Sequence, residues 1–184
     1  MSDGLIPRRY AKALYKLAVE NGDSELIYEQ LRHLNFRYTA IDELKRVVLN
    51  PDIPDAEKGA YILRAAGGIP GSSLDKFLLL VVQNNRAEML RKITLSYVDI
   101  YREQHRIAHV TITTAAPMPE PEIDAIVAVV KHRLEDMTLE IETVVNPDII
   151  GGFTVNINDL VLDASVKTEL NNLRLKLHKN TTTR

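Results

Sequence analysis

The sequence has no cysteine and no tryptophan among its 184 residues, and only 5% of it is aromatic. Without cysteine there is no disulfide, no thiol nucleophile and no thiolate metal site. A core must therefore be built mainly from aliphatic side chains. An excess of charge of one sign is also missing. With 23 basic residues against 25 acidic ones and a formal net charge of −2, the chain carries no electrostatic footprint for duplex nucleic acid. Long hydrophobic runs are absent too. The run Phe77 to Val82, which no other exceeds, falls far short of the roughly 20 residues a membrane-spanning helix requires. The amino terminus shows no apolar signal core and enters a helical pattern within a few residues, which leaves no room for a transit peptide. The expectation is a soluble, cytosolic chain that reaches a membrane only through a partner.

What is present is a hydrophobic content of 45%, enough for one large domain or two small ones. Up to about residue 105 the apolar positions follow a helical period. Tyr10, Ala13, Leu14 and Leu17 recur at i, i+3, i+4 and i+7. Asn21-Gly22-Asp23 ends that helix and Ser24 suits the N-cap of the next, on which Ile27, Leu31, Leu34 and Tyr38 form one stripe. A short helix over Ile41 to Leu49 stops before Pro51, because proline pushes its predecessor out of helical geometry. Asp55 can cap a fourth helix, closed by Gly67-Gly68, and Ser72 or Ser73 starts a fifth. Asn84-Asn85 separates it from a long sixth that reaches about Arg106.

From Ala108 the period changes to two: Ala108, Val110, Ile112 and Thr114 alternate with His109, Thr111 and Thr113, as in a half-buried strand. A proline-rich connector follows, and Pro121 suits the first turn of a helix running to about Asp136. Leu139, Ile141, Thr143 and Val145 mark a second strand, and Phe153, Val155 and Ile157 a third. Asn158-Asp159 then reads as a hairpin turn into a short fourth strand, Leu160 to Leu162. Ser165 caps a last helix with Val166, Leu170, Leu173 and Leu177 in one stripe. The expected fold is α+β: a six-helix bundle over residues 1–105, then a β-α-β-β-β-α domain over residues 108–180.

Two helices carry more apolar surface than one core face uses. On the first, Ala11, Tyr15, Ala18 and Val19 extend the arc begun by Tyr10, Ala13, Leu14 and Leu17, leaving only Lys12, Lys16 and Glu20 polar. On the fifth, Leu74, Phe77, Leu78, Leu79, Leu80, Val81 and Val82 point all round. Such helices are either central in the bundle or completed by a partner helix. Other features read as structural. Gly151-Gly152 lacks the Lys-Ser/Thr and the following helix of a phosphate loop and fits a tight turn before a strand. Asp148, Asp159 and Asp163 stand where turns and caps favour Asp. His105 and His109 straddle a helix-to-strand boundary with no acidic or Cys ligand nearby, so no metal is expected. Lys167, Arg174, Lys176 and Lys179 give the last helix a modest basic face. Nothing here assembles a catalytic constellation, and neither cofactor nor nucleic acid is expected. A scaffold that binds helices is the leading reading. A small enzyme on the second domain and an RNA-binding adaptor are the rivals.

Two motifs about 140 residues apart carry a family resemblance. Arg9-Tyr10-Ala11-Lys12-Ala13-Leu14 near the start, and Gly151-Gly152-Phe153 followed by Asp163-Ala164-Ser165 and the leucine-spaced helix near the end, resemble the delta subunit (oligomycin-sensitivity-conferring protein) of F-type ATP synthases. Many members carry Gly where Ala164 stands, so an unstrained backbone is expected there. The resemblance implies a bacterial peripheral-stalk subunit on the cytoplasmic face of the inner membrane, with no catalysis of its own. It implies that the first domain holds the N-terminal helix of an alpha subunit of the catalytic head, and that the second holds the C-terminal region of a b-type stalk subunit. By the same resemblance the head-binding groove lies between the first and fifth helices, with Ala11, Leu14, Tyr15, Ala18, Phe77, Leu78 and Val81 as candidates. Gly151, Gly152, Asp163 and Ser165 are then structural.

Overall fold

A computed structural model of the protein describes residues 4–134, 136–158 and 160–181, with side chains as far as residue 175. Asp159, and hence the turn expected at Asn158-Asp159, lies outside the described residues, as do the side chains of Leu177, Lys176 and Lys179. The fold is α+β. The chain divides into two compact units, residues 1–104 and 105–184.

The first unit is helical: α1 (Leu5–Asn21), α2 (Ser24–Ala40), α3 (Asp42–Leu49), α4 (Asp55–Ala66), α5 (Ser73–Gln83) and α6 (Leu90–His105). A single 3-10 turn, Ala87–Met89, precedes α6. The stops are chemical. Gly22 takes φ 72°, and its N–H and that of Asp23 donate back to Val19 and Ala18, closing α1. Gly67 does the same for α4 at φ 73°. At the start of α5 the Asp75 N–H donates to Ser72 Oγ at 3.2 Å, while Gly71 N–H donates to Asp75 Oδ2 at 2.7 Å. Two expected caps are shifted by a residue. Ser24 and Asp55 are the first helical residues, and Asp23 and Pro54 precede them without a side-chain cap. Aliphatic side chains fill the centre: Leu14, Leu31, Leu34, Ile62, Leu74, Leu78 and Ile93 are all buried.

The second unit runs β1 (Ile107–Thr114), α7 (Glu120–Arg133), β2 (Thr138–Val145), a 3-10 turn at Pro147–Ile149, β3 (Gly152–Ile157), β4 (Leu160–Ser165) and α8 (Val166–Thr181). Strand order is β2-β1-β3-β4. β1 and β2 are parallel, joined by the α7 crossover, and the other pairs are antiparallel. Residues alternate along β1 as their sequence requires, with Ala108, Val110, Ile112 and Thr114 buried. Val110, Ile112 and Val155 pack with Val130 of α7. α7 ends at Arg133, short of the expected Asp136, and β4 runs to Ser165 instead of Leu162. Between α6 and β1 stands only Arg106, at φ 53°, so the change of period passes without a linker.

Candidate partner-binding surfaces

α1 and α5 lie side by side. Asn21 Nδ2 donates to Ser73 Oγ at 2.9 Å, and the rings of Tyr10 and Phe77 touch. Along them runs a groove of ≈680 Å³. α1 lines it with Ile6, Arg9, Tyr10, Ala13, Leu14 and Leu17, and the α5 side supplies Lys76, Phe77, Leu80 and Arg86. Leu17 is 39% and Leu80 49% exposed. The three charged residues of the lining are all cations.

Of the seven residues expected in this groove, Leu14 and Phe77 line it. Ala11, Ala18, Leu78 and Val81 do not, being buried inside the bundle. Tyr15 turns instead toward α6, with its ring 5.9 Å from that of Tyr97 and 6.4 Å from that of Tyr101. The physical reason is the small side chain: Ala11 and Ala18 permit close approach, and bundle helices take it up. Leu79 is likewise used inside, set over Gly59 of α4. Sequence reasoning missed Ile6, Tyr10, Ala13, Leu17 and Leu80 as liners, and the cationic rim with them. The signal was available in the i, i+4, i+7, i+11 spacing of Ile6, Tyr10, Ala13 and Leu17.

The second unit has its own apolar groove, ≈740 Å³, between α7 and strands β3 and β4. Its lining includes Ile126, Val129, Phe153 and Leu160 to Leu162, with Arg133 the one charged residue. The stripe of α8 is left half open, with Leu170 and Leu173 about equally exposed at 51% and 50%.

The junction from β4 to α8 is held by short polar contacts. Ser165 N–H donates to Asp163 Oδ1 at 2.8 Å, Thr168 Oγ1 donates to Asp163 Oδ2 at 2.8 Å, and Thr168 N–H donates to Ser165 Oγ at 3.3 Å. Hydrogen bonds from Ser165, through its hydroxyl and then its backbone N–H, and from the Thr168 hydroxyl lower the Asp163 pKa below its ordinary value. Across the sheet Gly152 pairs with Ser165 at φ 72°, and a Cβ there would run into the carbonyl oxygen of Ala164. Gly151 places its own missing Cβ 3.0 Å from Val166 Cγ2. Ala164 itself sits in β4 without a positive φ. The preceding residue of the turn, Ile150, is the unexpected one: a β-branched side chain at φ 71°.

Among the described residues no group of three or more His, Asp or Glu is placed to hold a metal ion. Nor is any described helix long and apolar enough to cross a membrane. His109 Nε2 lies 3.2 Å from Glu142 Oε2 on the sheet face away from α7.

Comparison with known proteins bears on both units. The chain matches the family model described as ATP synthase delta (OSCP) subunit over residues 6–177. It is 36% identical over 172 residues to the ATP synthase subunit delta of Phocaeicola vulgatus, covering 93% of this chain and 92% of that one. To the subunit of the same name from Bacteroides thetaiotaomicron it is 34% identical over 176 residues, covering 95% and 94%. A chain in the cryo-EM structure of the Toxoplasma gondii mitochondrial ATP synthase hexamer shares the fold, with a TM-score of 0.72 at 19% identity over 93% of this chain and 96% of that one.

Proposed function

Because the chain belongs to the ATP synthase delta (OSCP) subunit family, we propose that it is a peripheral-stalk subunit of an F-type ATP synthase. In that role it ties the catalytic head to the membrane-anchored stalk, so that the head does not turn with the rotor and torque drives ATP synthesis. It turns over no substrate itself. It sits at the cytoplasmic face of the bacterial inner membrane through its partners.

The observation that carries this reading is the open α1–α5 groove. An apolar trough between two helices accepts the apolar face of a third, read as anchors at i, i+3, i+4 and i+7. We assign it to the N-terminal helix of the alpha subunit. Arg9, Lys76 and Arg86 call for acidic residues on the flanks of that helix. Each buried anchor is worth roughly 1.5–3 kcal/mol. Three or four anchors contribute roughly 4.5–12 kcal/mol before ordering costs, so nanomolar affinity, about −12 kcal/mol, requires the charged flanks and the rest of the helix contact as well. The second unit, with its own groove and the half-open stripe of α8, is assigned to the C-terminal region of a b-type stalk subunit.

The test is isolation. Solubilised membranes of the source cell should yield this chain together with a rotary ATPase, and stripping it should uncouple ATP synthesis from the proton gradient while ATP hydrolysis by the head persists. A rotary ATPase fully coupled without this chain would overturn the reading.

A further inference from the structure

Beyond its first turn α8 is exposed all round. Ser165 is buried and Thr168 half-buried at the junction, but every residue over 169–175 is exposed. A helix of 16 residues with Asn171 and Asn172 at its middle has little stability of its own, because helices in proteins are held mainly by packing an apolar face. Such a face is present. Val166, Leu170 and Leu173 recur at i, i+4 and i+7, within about 60° of one another round the helix. They are 36%, 51% and 50% exposed. The sequence continues the spacing at Leu177. Leu175 falls on the opposite side of the helix and is exposed as well.

The stripe is flanked by charge. Lys167 and Arg174 stand seven apart on one flank, and Glu169 stands on the other, followed in sequence by Lys176. Charges beside an apolar helix seam select the partner helix by complementarity. We propose that α8 pairs side by side with an acidic amphipathic helix of the b-type stalk subunit. The apolar stripe of that helix covers Val166, Leu170 and Leu173, and its carboxylates face Lys167 and Arg174. The inference rests on the stalk-side contact proposed above, and it specifies the surface used and the chemistry of the partner. The chain's own surfaces do not complement α8. The charged residues described along both grooves are cations too: Arg9, Lys76 and Arg86 in one, Arg133 in the other. Two α8 helices side by side bring one carboxylate for every three cations, so a second copy leaves most of the cations unmatched.

Calorimetry of the full chain with the b-type subunit, purified in detergent from the source cell, tests this at low and high salt. Leu170→Lys and Leu173→Lys, both at exposed positions, should each weaken binding about tenfold or more with the melting of both units unchanged. Leu175→Lys should bind as wild type. Lys167→Glu combined with Arg174→Glu should weaken binding about tenfold at low salt, and less as salt rises. Wild-type binding by both stripe variants overturns the stripe and leaves the stalk reading standing. Equal damage from Leu175→Lys means that α8 is enclosed, not paired along one face, and overturns the inference too. Unchanged or tighter binding by the charge-reversed variant overturns the acidic partner. A dimer of the free chain in light scattering that Leu170→Lys dissolves makes a second copy the occupant and overturns the inference as well. No binding of the wild-type chain to the subunit removes the stalk-side reading itself, and the inference with it.

Discussion

The rings of Tyr10 and Phe77 meet edge-on with centroids 6.4 Å apart, and both residues line the groove between α1 and α5. Phe77 is buried and forms floor, whereas Tyr10 is only half-buried and forms wall. An edge-to-face pair of this kind is worth about 0.5–1.5 kcal/mol beyond its buried area. It sets the spacing of the two helices that an incoming helix must match.

Ala13 and Ala18 separate binding from folding. Ala13 is exposed and lines the groove, and Ala18 is sealed in the bundle. Ala13→Glu should leave the melting temperature near wild type and weaken head binding by about 2 kcal/mol, roughly thirtyfold. Ala18→Glu should lose the bundle itself, since it places an unpaired carboxylate in the core. Calorimetry of binding beside a thermal melt checks both. Equal head affinity for Ala13→Glu and wild type would remove the groove from the interface.

The cationic rim should act on rate. Arg9→Glu and Arg86→Glu should slow association with the head, each by about tenfold at low salt, with smaller effects on dissociation. The difference should shrink as ionic strength rises and the Debye length falls to a few ångströms. Stopped-flow measurements across a salt series decide it, and a salt-independent effect would mean that the arginines act by shape.

Gly152→Ala should destabilise the second unit alone, by roughly 2–4 kcal/mol. The new methyl group meets the Ala164 carbonyl, and φ 72° is costly for any residue with a Cβ. Residues 1–104, expressed as a fragment, should fold with helical circular dichroism and keep head binding, because their core is their own. An unfolded fragment would show that the bundle needs the rest of the chain.

The β4–α8 junction should weaken in acid. Asp163 has its pKa lowered in the folded state, so its contribution is fully present above the ordinary carboxylate value and is lost as pH falls through the lower folded value. Amide exchange at Val166 to Thr168 should rise over that interval, and Asp163→Asn should flatten the response. Ser165→Ala removes the acceptor for the Thr168 N–H, a loss of about 1 kcal/mol, and with it the hydroxyl that bonds Asp163, so it should also blunt the acid response.

Much of this architecture can be read from residues whose local chemistry leaves one solution. Gly22 and Gly67 end helices because a left-handed residue closes the last turn, and Ser72 starts one because its hydroxyl accepts from the third residue on. The alternation of Ala108, Val110, Ile112 and Thr114 gave β1 and its inward face. The faces of α1 and α5 were less legible. Both have an excess of apolar positions, and alanine serves a tight interior crossing as well as an open groove, so Ala11 and Ala18 could not be told from Ala13 by type. Leu160-Val161-Leu162 reads as a strand, but three apolar residues in a row do not mark the edge position that the topology gives them. Ile150 at φ 71° is invisible in sequence, because a β-branched residue is the least expected occupant of that region.

That each unit encloses its own core has a genetic consequence. A substitution that ruins the sheet leaves a bundle able to occupy the head, so on the proposed reading the damaged chain is a competitor and not merely a missing part. Cells carrying both forms would build heads capped by chains with no hold on the stalk. Such an allele is expected to be dominant, with severity that follows the ratio of the two chains, whereas one that destroys the bundle is expected to be recessive.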